Sequence, residues 1–120
     1  MPAPSPLAIA TQSVQRLVKE DSYYRKELAQ QSERVQKLEA GLKAPSESDD
    51  GNAPFILKQE QKAMEETRAV FVPLRERIVQ AVQRLEEQIA TAEAESAPAD
   101  EMAKAKEALK LGQGLEPPVA

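Results

Sequence analysis

The sequence predicts an all-α fold: an antiparallel, up-down-up three-helix bundle with coiled-coil-like packing, spectrin-like in outline, with a kinked second helix. Three observations lead there. An apolar residue recurs every three, then four positions from Leu7 to Leu42, the repeat of a long helix whose narrow seam packs on another helix. A second stripe of similar length runs from Leu57 to Ala92, and a short third passes through Met102, Ala105 and Leu109. The polar stretch between the two long stripes is short enough to reverse the chain, so the third helix is expected to lie along an antiparallel pair.

Residues 1–6 (Met-Pro-Ala-Pro-Ser-Pro) read as a disordered lead, with Ser5 and Pro6 placed to start the first helix. That helix is expected over 7–42, with a seam of Leu7, Ala10, Val14, Leu17, Tyr24, Leu28, Val35, Leu38 and Leu42. It holds no proline, and its one glycine, Gly41, lies near its end. At ~1.5 Å per residue it spans roughly 50 Å. Asp21 with Arg25, Glu33 with Lys37 and Glu39 with Lys43 are acid-then-base pairs at i, i+4. Each such pair contributes ~0.2–0.5 kcal/mol and marks a wet face. Asp21 and Gln31 interrupt the seam. Asp21 reads as lying under a solvated gap; for Gln31 a gap and a register-fixing buried polar group stand equal.

Residues 43–53 lose all periodicity and read as an acidic, flexible loop rich in turn formers. The second helix is expected over 54–94, with a stripe of Leu57, Met64, Phe71, Leu74, Ile78, Val82, Leu85, Ile89 and Ala92. Val70, Val72, Val79 and Ala81 widen that stripe, which suggests contact with two neighbours. Pro73 removes the bond to the carbonyl of Ala69, at ~3 kcal/mol in a helix interior. Because the pattern continues on both sides, a kink is expected rather than a break. Pro98 suits the first turn of a third helix over 98–111, and Gly112 reads as its C-terminal stop. Thus 7–111 forms one bundle, and 112–120 is expected to be a disordered tail.

Composition narrows the function classes. Charged residues make up 30% and aromatics 3%, with a net charge of −4 and both signs interspersed. No clustered basic face suits a nucleic-acid partner. Without Cys or His, the chain lacks thiolate chemistry, disulfides, and the commonest metal ligand and neutral-pH base. Only carboxylates and lysines remain for proton transfer. The expectation is therefore no enzyme, with no catalytic residue, cofactor or metal. The adjacent acids Asp49-Asp50, Glu65-Glu66 and Glu86-Glu87 read as solvated charge runs, and Asp49-Asp50-Gly51-Asn52 lacks the alternating ligands of a calcium loop. Gly112-Gln113-Gly114 follows no strand and cradles no phosphate. Ser46, three positions before Asp49, reads as polar linker in preference to a phosphorylation site. No stretch approaches the ~20 apolar residues of a membrane span, and no leader pattern opens the chain, so the cytosol is expected. A rod without a cleft works by binding.

The motif Arg16-Leu17-Val18-Lys19-Glu20, with Thr11 and Val14 before it and Tyr24, Lys26-Glu27 and Gln30-Gln31 after it, resembles the tubulin-binding cofactor A (tubulin-specific chaperone A) family. The second helix agrees: Glu65-Glu66-Thr67-Arg68 leads to Pro73, then Leu74-Arg75-Glu76-Arg77. The likeness covers roughly Leu7 to Ile89, with a weaker match in the third helix; the longer acidic loop and Pro-rich ends depart from it. The resemblance implies a three-helix bundle that holds folding intermediates of β-tubulin on the route to the α/β heterodimer. It also implies other tubulin cofactors as further partners, no cofactor, and a monomer or homodimer in the cytoplasm, associated with the microtubule cytoskeleton. Membrane and nucleic acid are not among the implied partners. Arg16, Lys19 and Glu20 face outward and are expected to bind the partner, with Tyr23 beside them and Glu66 and Arg68 on the second helix. The competing reading gives these residues only generic surface roles. The alternative function is a generic coiled-coil adaptor or oligomerisation module, using the same seams between chains.

Overall fold

The computed structural model describes residues 3–43 and 51–117. It holds three helices, α1 (Pro6–Lys43), α2 (Ala53–Ala94) and α3 (Ala99–Gln113), with no strand among the described residues. Each pair of helices packs together. The expectations for the acidic loop, Ser46 and Asp49-Asp50 fall on 44–50, and those for the chain ends on 1–2 and 118–120; these lie outside the described residues.

The start of α1 is set by Ser5, whose Oγ accepts the Ala8 N–H at 3.1 Å. This satisfies one of the donors that a helix N-terminus leaves unpaired. The same hydroxyl donates to Glu101 Oε1 at 2.7 Å, tying α1 to the first turn of α3. Leu7, Ala10, Val14, Leu17, Leu28 and Val35 are buried along the expected seam. The seam loosens toward its end, where Leu38 is half-buried and Leu42 exposed.

α2 runs unbroken through Pro73 and buries Phe71, Leu74, Ile78, Val82, Leu85, Ile89 and Ala92. The expected widening of its stripe is realised in part. Ala81 packs on the core, whereas Val72 and Val79 remain 73% and 55% exposed. α2 closes on Ser96, a left-handed residue with φ 55°. The Ala97 N–H donates to the Ala92 carbonyl at 3.0 Å and the Ser96 N–H to Glu93 at 3.4 Å. This paired pattern satisfies carbonyls that the helix end leaves free, and turns the chain into α3.

α3 buries Ala105, Ala108 and Gly112, with Met102 and Leu109 partly buried beside them. Gly112 is not a stop: the helix continues through Gln113. A Cβ at 112 would lie 2.7 Å from Val82 Cγ2 and 3.1 Å from Val14 Cγ1. Glycine is needed there for close approach of three helices, a use that spacing alone does not separate from a C-cap. The chain after it also differs from the expected loose tail. Leu115 packs on the core, and the carbonyls of Leu115 and Glu116 accept hydrogen bonds from Arg75 and Arg25.

The principal core cluster takes α1 residues up to Tyr24, α2 residues from Leu74 onward, and the small residues of α3. Leu28 and Val35 are buried outside that cluster. Farther along the same helices the helix interface turns polar: Gln31 and Thr67 are buried, and Arg34 Nε lies 4.0 Å from Glu60. The molecule is long and narrow, 71 × 28 × 18 Å.

Candidate partner-binding surfaces

Arg16, Lys19, Glu20 and Tyr23 follow one another at helical spacing on α1, so they share a face. Arg16, Lys19 and Tyr23 are exposed, and Glu20 is half-buried at the edge of the patch. Tyr23 is steadied from behind: its ring meets Tyr24 edge-on at 5.2 Å, and Tyr24 meets Phe71 at 6.4 Å. Edge-to-face pairs at such distances are favourable, so the exposed Tyr23 ring is braced by Tyr24, which in turn rests on the buried Phe71. Glu66 and Arg68 are both exposed, but two residues apart on a helix they point to different sides. Arg68 borders a groove of about 500 Å³ between α1 and α2, lined also by Ser32, Val35, Gln36, Met64 and Glu65. The six expected contact residues thus divide into an α1 patch, a groove-side arginine and a separate glutamate.

Asp21 overturns the solvated-gap expectation. Its side chain is 0% exposed and lies 2.5 Å from Arg25 Nε and 3.8 Å from Arg75 Nε. Arg25 also stands 5.9 Å from the centre of the Phe71 ring, within cation–π range. The two arginines then reach outward to the chain after α3. Arg25 Nη2 donates to the Glu116 carbonyl, and Arg75 Nη1 donates to Leu115 at 3.3 Å. Asp21 Oδ2 and Arg75 Nε and Nη2 have no hydrogen-bond partner, so the buried cluster is incompletely satisfied. Asp21 with Arg25 was readable as an i, i+4 pair; Arg75 was visible only as part of a motif, since nothing in spacing joins it to another helix. Gln31 is also buried, and its Oε1 is unpaired.

Among the described residues no group of three carboxylates is placed to hold a metal ion, and no helix is long and apolar enough to cross a membrane. What the molecule presents is elongated helical surface, one aromatic-backed patch and open grooves between helices.

Comparison with known proteins agrees with that picture. The family described as tubulin binding cofactor A matches residues 2–109. The chain belongs to this family. It is also 30% identical over 89 residues to the Saccharomyces cerevisiae protein named tubulin-specific chaperone A, covering 74% of this chain and 76% of that relative. No solved structure matches. The family span contains the α1 patch, Glu66, Arg68 and the Asp21–Arg25–Arg75 cluster, but it stops at residue 109. The carbonyls of Leu115 and Glu116 that the two arginines hold therefore lie beyond the part of the chain that the family describes.

Proposed function

We propose that this chain is a tubulin-folding cofactor that captures and stabilises folding intermediates of β-tubulin on the route to the α/β-tubulin heterodimer. The family match across residues 2–109 is the observation that carries this reading. It acts by binding, without catalysis, in the cytoplasm and in association with the microtubule cytoskeleton, alongside other tubulin cofactors. Its helices form an antiparallel, up-down-up bundle. In support, the α2 partner falls from Arg75 to Glu60 as the α1 residue rises from Asp21 to Arg34. A generic adaptor that spends its seams on other chains is less favoured, because here all three helices pack within one chain.

Co-precipitation with unassembled β-tubulin, set against assembled heterodimer, tests the assignment. Retention of unassembled β-tubulin is expected, and binding to neither form would overturn it. Sedimentation of the 13.2 kDa chain decides between monomer and homodimer. The contact surface is proposed to include Arg16, Lys19, Glu20 and Tyr23, with Glu66 and Arg68 as further contacts. Reversing the charge of Arg16 and Lys19 together should weaken β-tubulin capture by ten-fold or more with unchanged helicity, as read by pull-down and circular dichroism. Full capture by the double variant would remove the patch from the interface.

A further inference from the structure

We infer that the α1–α2 groove beneath α3 is itself a client-binding surface, and that α3 is a displaceable intramolecular occupant latched by Arg25 and Arg75. The occupant that replaces it is an amphipathic helical segment of the partly folded client, so the inference rests on the function proposed above.

The groove is one continuous feature. α3 and the residues after it fill part of it, meeting α1 at Ser5, Val14 and Arg25 in turn. Seven residues beyond Arg25 on α1 stands Ser32, and seven before Arg75 on α2 stands Arg68. A seven-residue step keeps the same helix face. Ser32 and Arg68 line the open groove of about 500 Å³, which therefore continues the trough that α3 occupies.

The filled part is held lightly. Of α3 only Ala105, Ala108 and Gly112 are fully buried, the alanines in one core cluster with Val14, Ile78, Val82 and Leu85, and Gly112 against Val82 and Val14. At 15 residues α3 is also at the margin of length for a helix that must stand alone. Met102, Leu109 and Leu115 pack on the core only in part, and the other ties are polar: Ser5 to Glu101, Lys106 to Glu93 at 3.5 Å, and Arg25 and Arg75 to the Glu116 and Leu115 carbonyls. The latch sits where the filled and open parts of the groove meet. Its cluster keeps unpaired groups at Asp21 Oδ2 and Arg75 Nε and Nη2, so release of the strap lets both arginines turn fully onto Asp21. The replacement helix must present small or aliphatic residues at spacings of three and four, as Ala105, Ala108 and Gly112 do.

The chain contains no cysteine, so two thiol experiments read the movement cleanly. Val82→Cys places a thiol beneath α3. It should react with a maleimide at least ten-fold faster than global unfolding allows, and Arg25→Gln with Arg75→Gln should widen that margin over the variant's own global unfolding rate. Labelling only at the global unfolding rate would overturn the inference whatever tubulin does. Protection that grows with protein concentration would also overturn it, since the occupant would then be a second copy. In the second experiment Val82→Cys is combined with Gly112→Cys. A Cβ at 112 lies 2.7 Å from the Val82 atom that sulfur replaces, within reach of a disulfide. The oxidised full-length chain should capture unassembled β-tubulin at least ten-fold less well than the same variant after reduction, with helicity equal in both. Equal capture would refute the client role of this groove. If the reduced variant and the unaltered chain both fail to capture, the proposed function falls, while the labelling rate still decides whether α3 lifts.

Discussion

Two residues show how a single position governs the packing of this bundle. Asp21 is a fully buried carboxylate facing two arginines. Burying such a cluster gains little net stability, because desolvation offsets the attraction, but removing the carboxylate strips two guanidiniums, 30% and 26% exposed, of their buried counter-charge. Asp21→Ala should therefore lower stability by about 1.5–3 kcal/mol in urea unfolding, and a loss below about 1 kcal/mol would mean the arginines simply turn to water. Gly112 works by size. Alanine there sets a methyl 2.7 Å from the branched Val82, an overpacking that costs about 1–3 kcal/mol. Val82→Ala should relieve it, so a double-mutant cycle of Gly112→Ala with Val82→Ala should show positive coupling; additive losses would place the strain elsewhere. Beyond the Asp21–Arg25 pair at i, i+4, neither role was readable from the chain. A polar residue on a seam looks alike whether it faces water or a guanidinium on another helix, and a glycine near a helix end looks alike whether it caps the helix or admits a neighbour.

The helices themselves were far more legible. Seams such as Leu7, Ala10, Val14 and Leu17 on α1, or Leu74, Ile78 and Leu85 on α2, are buried where the repeat places them, because a helix has only one way to gather residues at that spacing. Width was harder to read: Val72 and Val79 lie beside the stripe yet stay exposed, while Ala81 reaches the core. Whether a flanking valine is covered depends on where the third helix ends, which α2 alone cannot specify. Pro73 belongs to this scale as well. It is exposed within a continuous helix and removes a donor from the backbone ladder. Pro73→Ala restores the donor, recovering part of the ~3 kcal/mol interior cost, while the freer unfolded chain takes back ~0.4–1 kcal/mol. The variant should stay folded and gain about 1–2 kcal/mol in denaturant midpoint analysis. Loss of folding would show instead that the packing of α2 requires the proline.

At the scale of the whole molecule, shape decides how stability is distributed. The radius of gyration is 21.0 Å, against about 13–14 Å for a compact domain of this length, so the molecule carries much surface for a thin core. That core is uneven along the rod. Ile78 lies in the cluster where all three helices contribute, whereas Leu28 is buried outside it. Truncating a buried aliphatic residue costs about 2–5 kcal/mol, and the cost depends on how well the surroundings collapse into the cavity. Around Ile78 three helices hold one another in place, so the void persists and Ile78→Ala should fall near the upper end of that range. Around Leu28 the interface is already giving way to polar residues such as Gln31. The helices there can close inward, and Leu28→Ala should cost about 2 kcal/mol. Urea unfolding of the two variants measures the difference directly. Equal losses would mean that the two ends of the rod are equally rigid.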